Sequence, residues 1–82
     1  MCYYVYILYS GTSDKYYKGQ TDDLGGRILR HNSGWEKSTR SGRPWELVWS
    51  TKKPERPSAL ELERKLKNMS REKLRDFIKR YA

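Results

Sequence analysis

The chain has 82 residues, a formal charge of +8 and a sequence pI near 9.8, which leaves room for one small domain with a modest core. Its single cysteine, Cys2, excludes an internal disulfide and a cysteine-based zinc cluster, and its one apolar run, residues 2–9, is too short to span a bilayer. The charge favours a polyanionic partner, of which nucleic acid is the commonest, and without a leader or span the expected location is cytoplasmic.

Residues 3–9 (YYVYILY) are β-branched and aromatic and predict a first strand. SGTSDK at 10–15 is a turn, and YYKGQ at 16–20 predicts a second strand pairing antiparallel with the first. Alternation puts Tyr4, Tyr6 and Leu8 on one face and Tyr3, Val5, Ile7 and Tyr9 on the other. In the second strand Tyr17 and Gly19 share a face, with Tyr16 and Lys18 turned away. A glycine weakens so short a strand, so Gly19 suggests close approach to the backbone, as by a phosphate. Thr21-Asp22-Asp23 supplies a cap and first-turn acids for a helix to about Asn32, closed by Asn32-Ser33-Gly34.

Residues 33–44 form a polar, basic loop. WELVWS at 45–50 predicts a third strand in which Trp45, Leu47 and Trp49 share one face. A second loop follows from Lys52 to Pro57. Ser58-Ala59-Leu60-Glu61 fits a capping box opening a helix to about Asn68. Ser70 caps a last helix whose Leu74, Phe77, Ile78 and Tyr81 form one buried stripe. The order β-β-α-β-α-α makes an α+β domain over residues 1–82: a small three-stranded antiparallel sheet flanked by about three helices.

Two helices carry polar groups on faces that must pack inward. At about 100° per residue, Arg27 and His31 stack together at the edge of the face defined by Leu24 and Ile28. Glu63 falls between Ala59 and Leu60, inside the apolar arc of the second helix, whereas Glu61 points to water. A carboxylate aimed into a core is costly unless several donors or a cation meet it, and the cation could be an arginine or a metal ion. Glu63 is therefore a functional candidate; Arg27 and His31 join it beside a structural alternative, in which Arg27 lays its stem on the sheet with its head in water and His31 is a packing residue. Lys37, Arg40, Arg43, Lys52, Lys53 and Arg56 lie in the two loops, where phosphate contacts would fix position without reading bases.

Tyr4-Val5-Tyr6 followed by Tyr17-Lys18-Gly19 resembles the paired strand motif of the GIY-YIG endonucleases. Tyr4 stands where the family name has its first glycine, and Lys18 where it has its second isoleucine. Arg27 within Thr21-Asp22-Asp23-Leu24-x-x-Arg27-x-x-x-His31-Asn32, and Ala59-x-x-x-Glu63 after the third strand, continue the likeness. Lys37-Ser38-Thr39-Arg40, Arg43-Pro44-Trp45 and Leu47-Val48 are similar to the small stand-alone branch of the family, which is related to the amino-terminal nuclease domain of an excision-repair protein.

The resemblance implies Tyr6 near an attacking water, Tyr17 on the same phosphate site and Arg27 on the scissile phosphate. It also implies His31 in acid–base support and Glu63 as ligand of one divalent ion, Mg²⁺ or Mn²⁺. The implied activity is a metal-dependent endonuclease hydrolysing phosphodiester bonds in DNA, structure-selective or weakly specific, in repair or recombination, with a protein partner able to supply specificity. Two other readings are a non-catalytic or partner-dependent nucleic-acid-binding module and a basic scaffold domain. An inward Glu63 argues against the scaffold.

Overall fold

The computed structural model describes residues 2–81. Strands β1 (Tyr3–Ser10), β2 (Lys15–Thr21) and β3 (Trp45–Lys53) form an antiparallel sheet in the order β2-β1-β3. Helices α1 (Leu24–Ser33), α2 (Arg56–Lys67) and α3 (Arg71–Tyr81) complete the expected α+β order, with a 3-10 turn at Arg40–Gly42. The most apolar strand, β1, is central, and its residues Val5 to Leu8 are fully buried.

The alternation along β1 divides the core between the two faces of the sheet. Val5 and Ile7 pack with Ala59 and Leu66 of α2 and Leu74 of α3. Tyr6 and Leu8 pack with Trp45, and Tyr17, Leu24 and Ile28 close over them, so α1 covers this second face. Asp23 caps α1, its side chain accepting from Gly26 N at 3.1 Å, and Gly34 ends the helix in the left-handed region at φ 86°. Ser70 caps α3, its hydroxyl accepting from Lys73 N at 3.2 Å. The hairpin turn is tied to α3, since Asp14 accepts from both Tyr9 Oη and Arg71 at 2.7 Å.

Four expectations are corrected. The third strand runs on to Lys53, so Lys52 and Lys53 lie in β3 and not in a loop. Its alternation breaks at a bulge: Leu8 pairs with Leu47 but Ile7 with Trp49, leaving Val48 between them. Trp45 therefore packs beside Tyr6, while Trp49 joins Phe77 on the opposite face. Helix α2 starts at Arg56, with Pro57 in its first turn, and Ser58 Oγ donates to Glu55 O; the capping box with Glu61 does not form. Tyr81 is 61% exposed, so only the first three positions of the α3 stripe are covered.

Candidate active site

The site grows from the face of the sheet that carries Tyr6. Tyr6 pairs with Gly19 on β2, and its ring lies across that residue. A Cβ at position 19 would stand 2.6 Å from Tyr6 Oη and 2.7 Å from its Cζ. The close approach that Gly19 permits is thus made by the Tyr6 phenol, where a phosphate was expected. Tyr17 shares the face, its ring centroid 6.3 Å from that of Tyr6 and 4.7 Å from the His31 ring.

Helix α1 brings His31 onto the phenol. Tyr6 Oη lies 3.2 Å from His31 Nε2, and His31 Nδ1 lies 2.9 Å from Thr39 Oγ1. Thr39 Oγ1 in turn donates to Glu36 O at 3.5 Å. One assignment uses each proton once: Tyr6 donates to Nε2, Nδ1–H donates to Thr39, and Thr39 donates to the carbonyl. In that assignment His31 is neutral. Tyr6, His31 and Thr39 are all buried, so the whole row is closed to bulk solvent.

Charge and burial set the proton affinities. Burial pushes the Tyr6 phenol up to about 12; Tyr17 and, more weakly, Glu63 add to the rise, and the neighbouring Arg27 guanidinium works against it. Burial also holds His31 below its usual value, with Glu36 opposing and Arg27 and Arg30 reinforcing the drop. Near neutral pH the pair is a protonated phenol against a neutral imidazole. Arg27, one turn before His31 and half-buried, is the cation that the phenol feels.

Glu63 on α2 is close enough to influence Tyr6, and its side chain is 16% exposed. It is largely covered rather than sunk in the core, and the cation that meets it is Lys67 at 3.3 Å, one turn on. Neither the arginine nor a metal is needed to explain its position. Among the described residues no three His, Cys, Asp or Glu side chains converge on a common point. A single carboxylate nevertheless suits Mg²⁺, which is commonly bound through one or two carboxylates with waters and substrate oxygens completing its shell. Glu63 is the residue that would hold the ion, in exchange for Lys67.

The six basic candidates are dispersed. Lys52 pairs with Tyr4 on the Tyr6 face, its Nζ 6.0 Å from the Tyr4 ring centroid, whereas Lys53 pairs with Tyr3 and belongs to the opposite face. Lys37, Arg40 and Arg43 are exposed between α1 and β3. Arg40 Nε also donates to Gly34 O, and Arg43 Nε to Arg40 O, so both brace their own loop. Arg56 opens α2.

Two site residues escape a reading by pattern. Thr39 stood out only as part of a loop segment, yet it orients His31 and its carbonyl accepts from Trp45 Nε1 at 2.8 Å. Asn32 clamps the backbone of Trp45, accepting from its N–H at 2.6 Å and donating to its carbonyl at 3.1 Å, which fixes the end of α1 against β3. Thr39→Val is expected to leave Nδ1–H unpaired in a buried site, destabilising the fold by about 1–3 kcal/mol. Urea unfolding of the two proteins measures it, and an unchanged midpoint would remove Thr39 from this role.

Residues 2–76 match the family model described as the GIY-YIG catalytic domain. The UPF0213 protein BH0048 of Halalkalibacterium halodurans is 35% identical over 79 residues, covering 95% of this chain and 83% of the relative. The solution NMR structure of the UPF0213 protein BH0048 from Bacillus halodurans matches with a TM-score of 0.64 at 35% identity, over 96% of this chain and 84% of that one.

Proposed function

The chain belongs to the GIY-YIG family, and from that premise we propose that it is a single-domain, metal-dependent endonuclease that hydrolyses phosphodiester bonds in DNA. The observation that carries this reading is the buried contact between Tyr6 Oη and His31 Nε2, with the charges of Arg27 and, more weakly, Glu63 acting on the phenol. A proton route and a phosphate-binding cation then act on one phenol, and a largely covered carboxylate on α2 adds its charge from further off.

A phenol with a pKa of about 12 supplies almost no phenolate at neutral pH, so Tyr6 can take a proton from water only as it gives its own to His31. The water O–H bond breaks as the proton reaches Tyr6 Oη, and the Tyr6 proton moves to Nε2. The oxygen left behind attacks phosphorus as the bond to the 3′ oxygen breaks, and that oxygen departs with the bonding pair and takes a proton from bulk water. Arg27 grips two phosphate oxygens with its planar fork and balances the charge that builds on them. Tyr6 is fully covered at rest, so its hydroxyl must be uncovered before a water can reach it. Tyr17, half-buried on the same face, orients the phosphate by its hydroxyl. When bound to Glu63, a divalent ion supplies Lewis-acid stabilisation of the leaving oxygen. Lys52 and the exposed Lys37, Arg40, Arg43 and Arg56 add salt-sensitive contacts to the backbone of the nucleic acid, whereas Lys53 meets it only if the strand passes to the other face.

The experiment compares wild type and Arg27→Ala for cleavage and binding of the same labelled DNA. Loss of one preorganised donor to the transition state is expected to slow cleavage by about 10²–10³-fold, with a much smaller loss of affinity. Cleavage by neither protein removes the nuclease reading. Equal cleavage by both removes Arg27 from it.

A further inference from the structure

Trp35 is 78% exposed and Leu29 is 70% exposed, while Trp45 is buried and Trp49 half-buried. Single exposed apolar residues are ordinary. These two, however, line one open hollow of about 420 Å³ with Gly26, Arg30 and Ser33, on the outer face of α1. The segment that carries the indole is held from both sides. Arg40 Nε donates to Gly34 O at 2.9 Å, Arg30 Nε lies 2.8 Å from Glu36 Oε1, and Thr39 N donates to Glu36 O at 3.2 Å. Trp35 is therefore presented outward by bonds made by its neighbours.

The surroundings are cationic. Arg30 lines the hollow and pairs with Glu36, and the side chains of Arg40 and Arg43 lie against Gly34, next to Trp35 in the chain. A flat aromatic face flanked by guanidinium groups complements a base on a chain of phosphates. We propose that Trp35 is a stacking platform for an unpaired nucleobase, and that the substrate is DNA with a single-stranded segment. This rests on the nuclease reading, because the strand on the platform is the one that enters the site.

Helix geometry connects the two places. Arg27 and His31 line the inner face of α1 and Leu29 and Arg30 its outer face, so the platform and the site are separated by about one helix diameter, roughly 10 Å. A duplex keeps its bases stacked inside and is stiff over about 150 base pairs. It offers Trp35 no base face. A single strand can bend round α1, leaving a phosphate at Arg27 and a base on the indole a short way along.

The test measures binding, in EDTA, of a labelled oligothymidylate and of a duplex by wild type, Trp35→Ala and Trp35→Phe. Trp35→Ala is expected to weaken single-strand binding by about tenfold, Trp35→Phe by much less, and neither to change duplex binding. Single-strand binding should quench the tryptophan emission of the wild type. One abasic position in the oligonucleotide should weaken wild type and leave Trp35→Ala unaffected. Equal single-strand affinity of wild type and Trp35→Ala overturns the platform, whatever the cleavage result. Trp35-dependent binding without cleavage on any substrate overturns the nuclease reading and leaves the platform standing. Failure of the wild type to bind either oligonucleotide overturns both, and binding only of apolar peptides or vesicles would assign the hollow to another partner.

Discussion

Glu63→Gln should abolish metal-dependent cleavage, by about 10³-fold or more, while DNA binding in EDTA stays close to wild type. The side chain keeps its length and shape and loses only its charge, so α2 should pack as before. What disappears is a largely covered carboxylate whose charge acts on Tyr6. A bound divalent ion stabilises developing charge by several kcal/mol, and each 1.4 kcal/mol or so corresponds to a tenfold change in rate. Single-turnover cleavage over a Mg²⁺ titration measures the loss, and far-ultraviolet circular dichroism checks the fold. Full activity in Glu63→Gln would show that no ion at this carboxylate is needed. The Lys67 contact gives a further sign: if Lys67 only neutralises Glu63 in the absence of metal, Lys67→Ala should cut at least as well as wild type.

His31→Ala should slow cleavage by about 10²–10⁴-fold and should also flatten its pH dependence. The wild-type rate is expected to rise with pH through the His31 pKa, which burial holds below the usual value near 6.5, and to level off above it. Stability follows the same proton. A folded pKa below the unfolded one means that the folded state disfavours the imidazolium. The stability tied to neutral His31 is therefore fully present above about pH 6.5 and lost as pH falls through the folded pKa. Urea unfolding at neutral and mildly acidic pH should show a smaller acid loss in His31→Ala than in wild type. Tyr6→Phe separates the relay from simple packing, since it removes the hydroxyl and keeps the ring. Because the two groups act on one proton, the double variant should be about as slow as the slower single variant. Multiplying effects would show that they act independently.

Much of this site could be read by periodicity. The two-residue alternation put Tyr6 with Tyr4 and Leu8 on one face of β1 and Tyr17 with Gly19 on one face of β2, and the pairing of Tyr6 with Gly19 joins the two. The spacing of Arg27 and His31 placed both at the inner edge of α1, and His31 is indeed buried against Tyr6. Patterns that depend on a neighbour were harder. Trp45, Leu47 and Trp49 alternate within their own strand, but the bulge at Val48 is a property of how β3 pairs with β1. Ser58 and Glu61 had the spacing of a cap, yet Pro57 suits a first turn and moved the helix start upstream. Glu63 was expected to point into the core, but α2 lies so that the carboxylate sits at its margin, within reach of Lys67. Thr39 carried no local signal, because its role is a contact with His31 made only once the loop closes over α1.

The most direct test of the nuclease assignment is cleavage by the wild-type chain on a panel of labelled single-stranded, duplex, flap and branched DNA, with Mg²⁺, with Mn²⁺ and with EDTA. The assignment predicts discrete products in either metal, none in EDTA, and the fastest cutting on substrates that combine a duplex with an unpaired strand. No product on any substrate, alongside salt-sensitive binding, would contradict it and leave a nucleic-acid-binding module built on a nuclease fold.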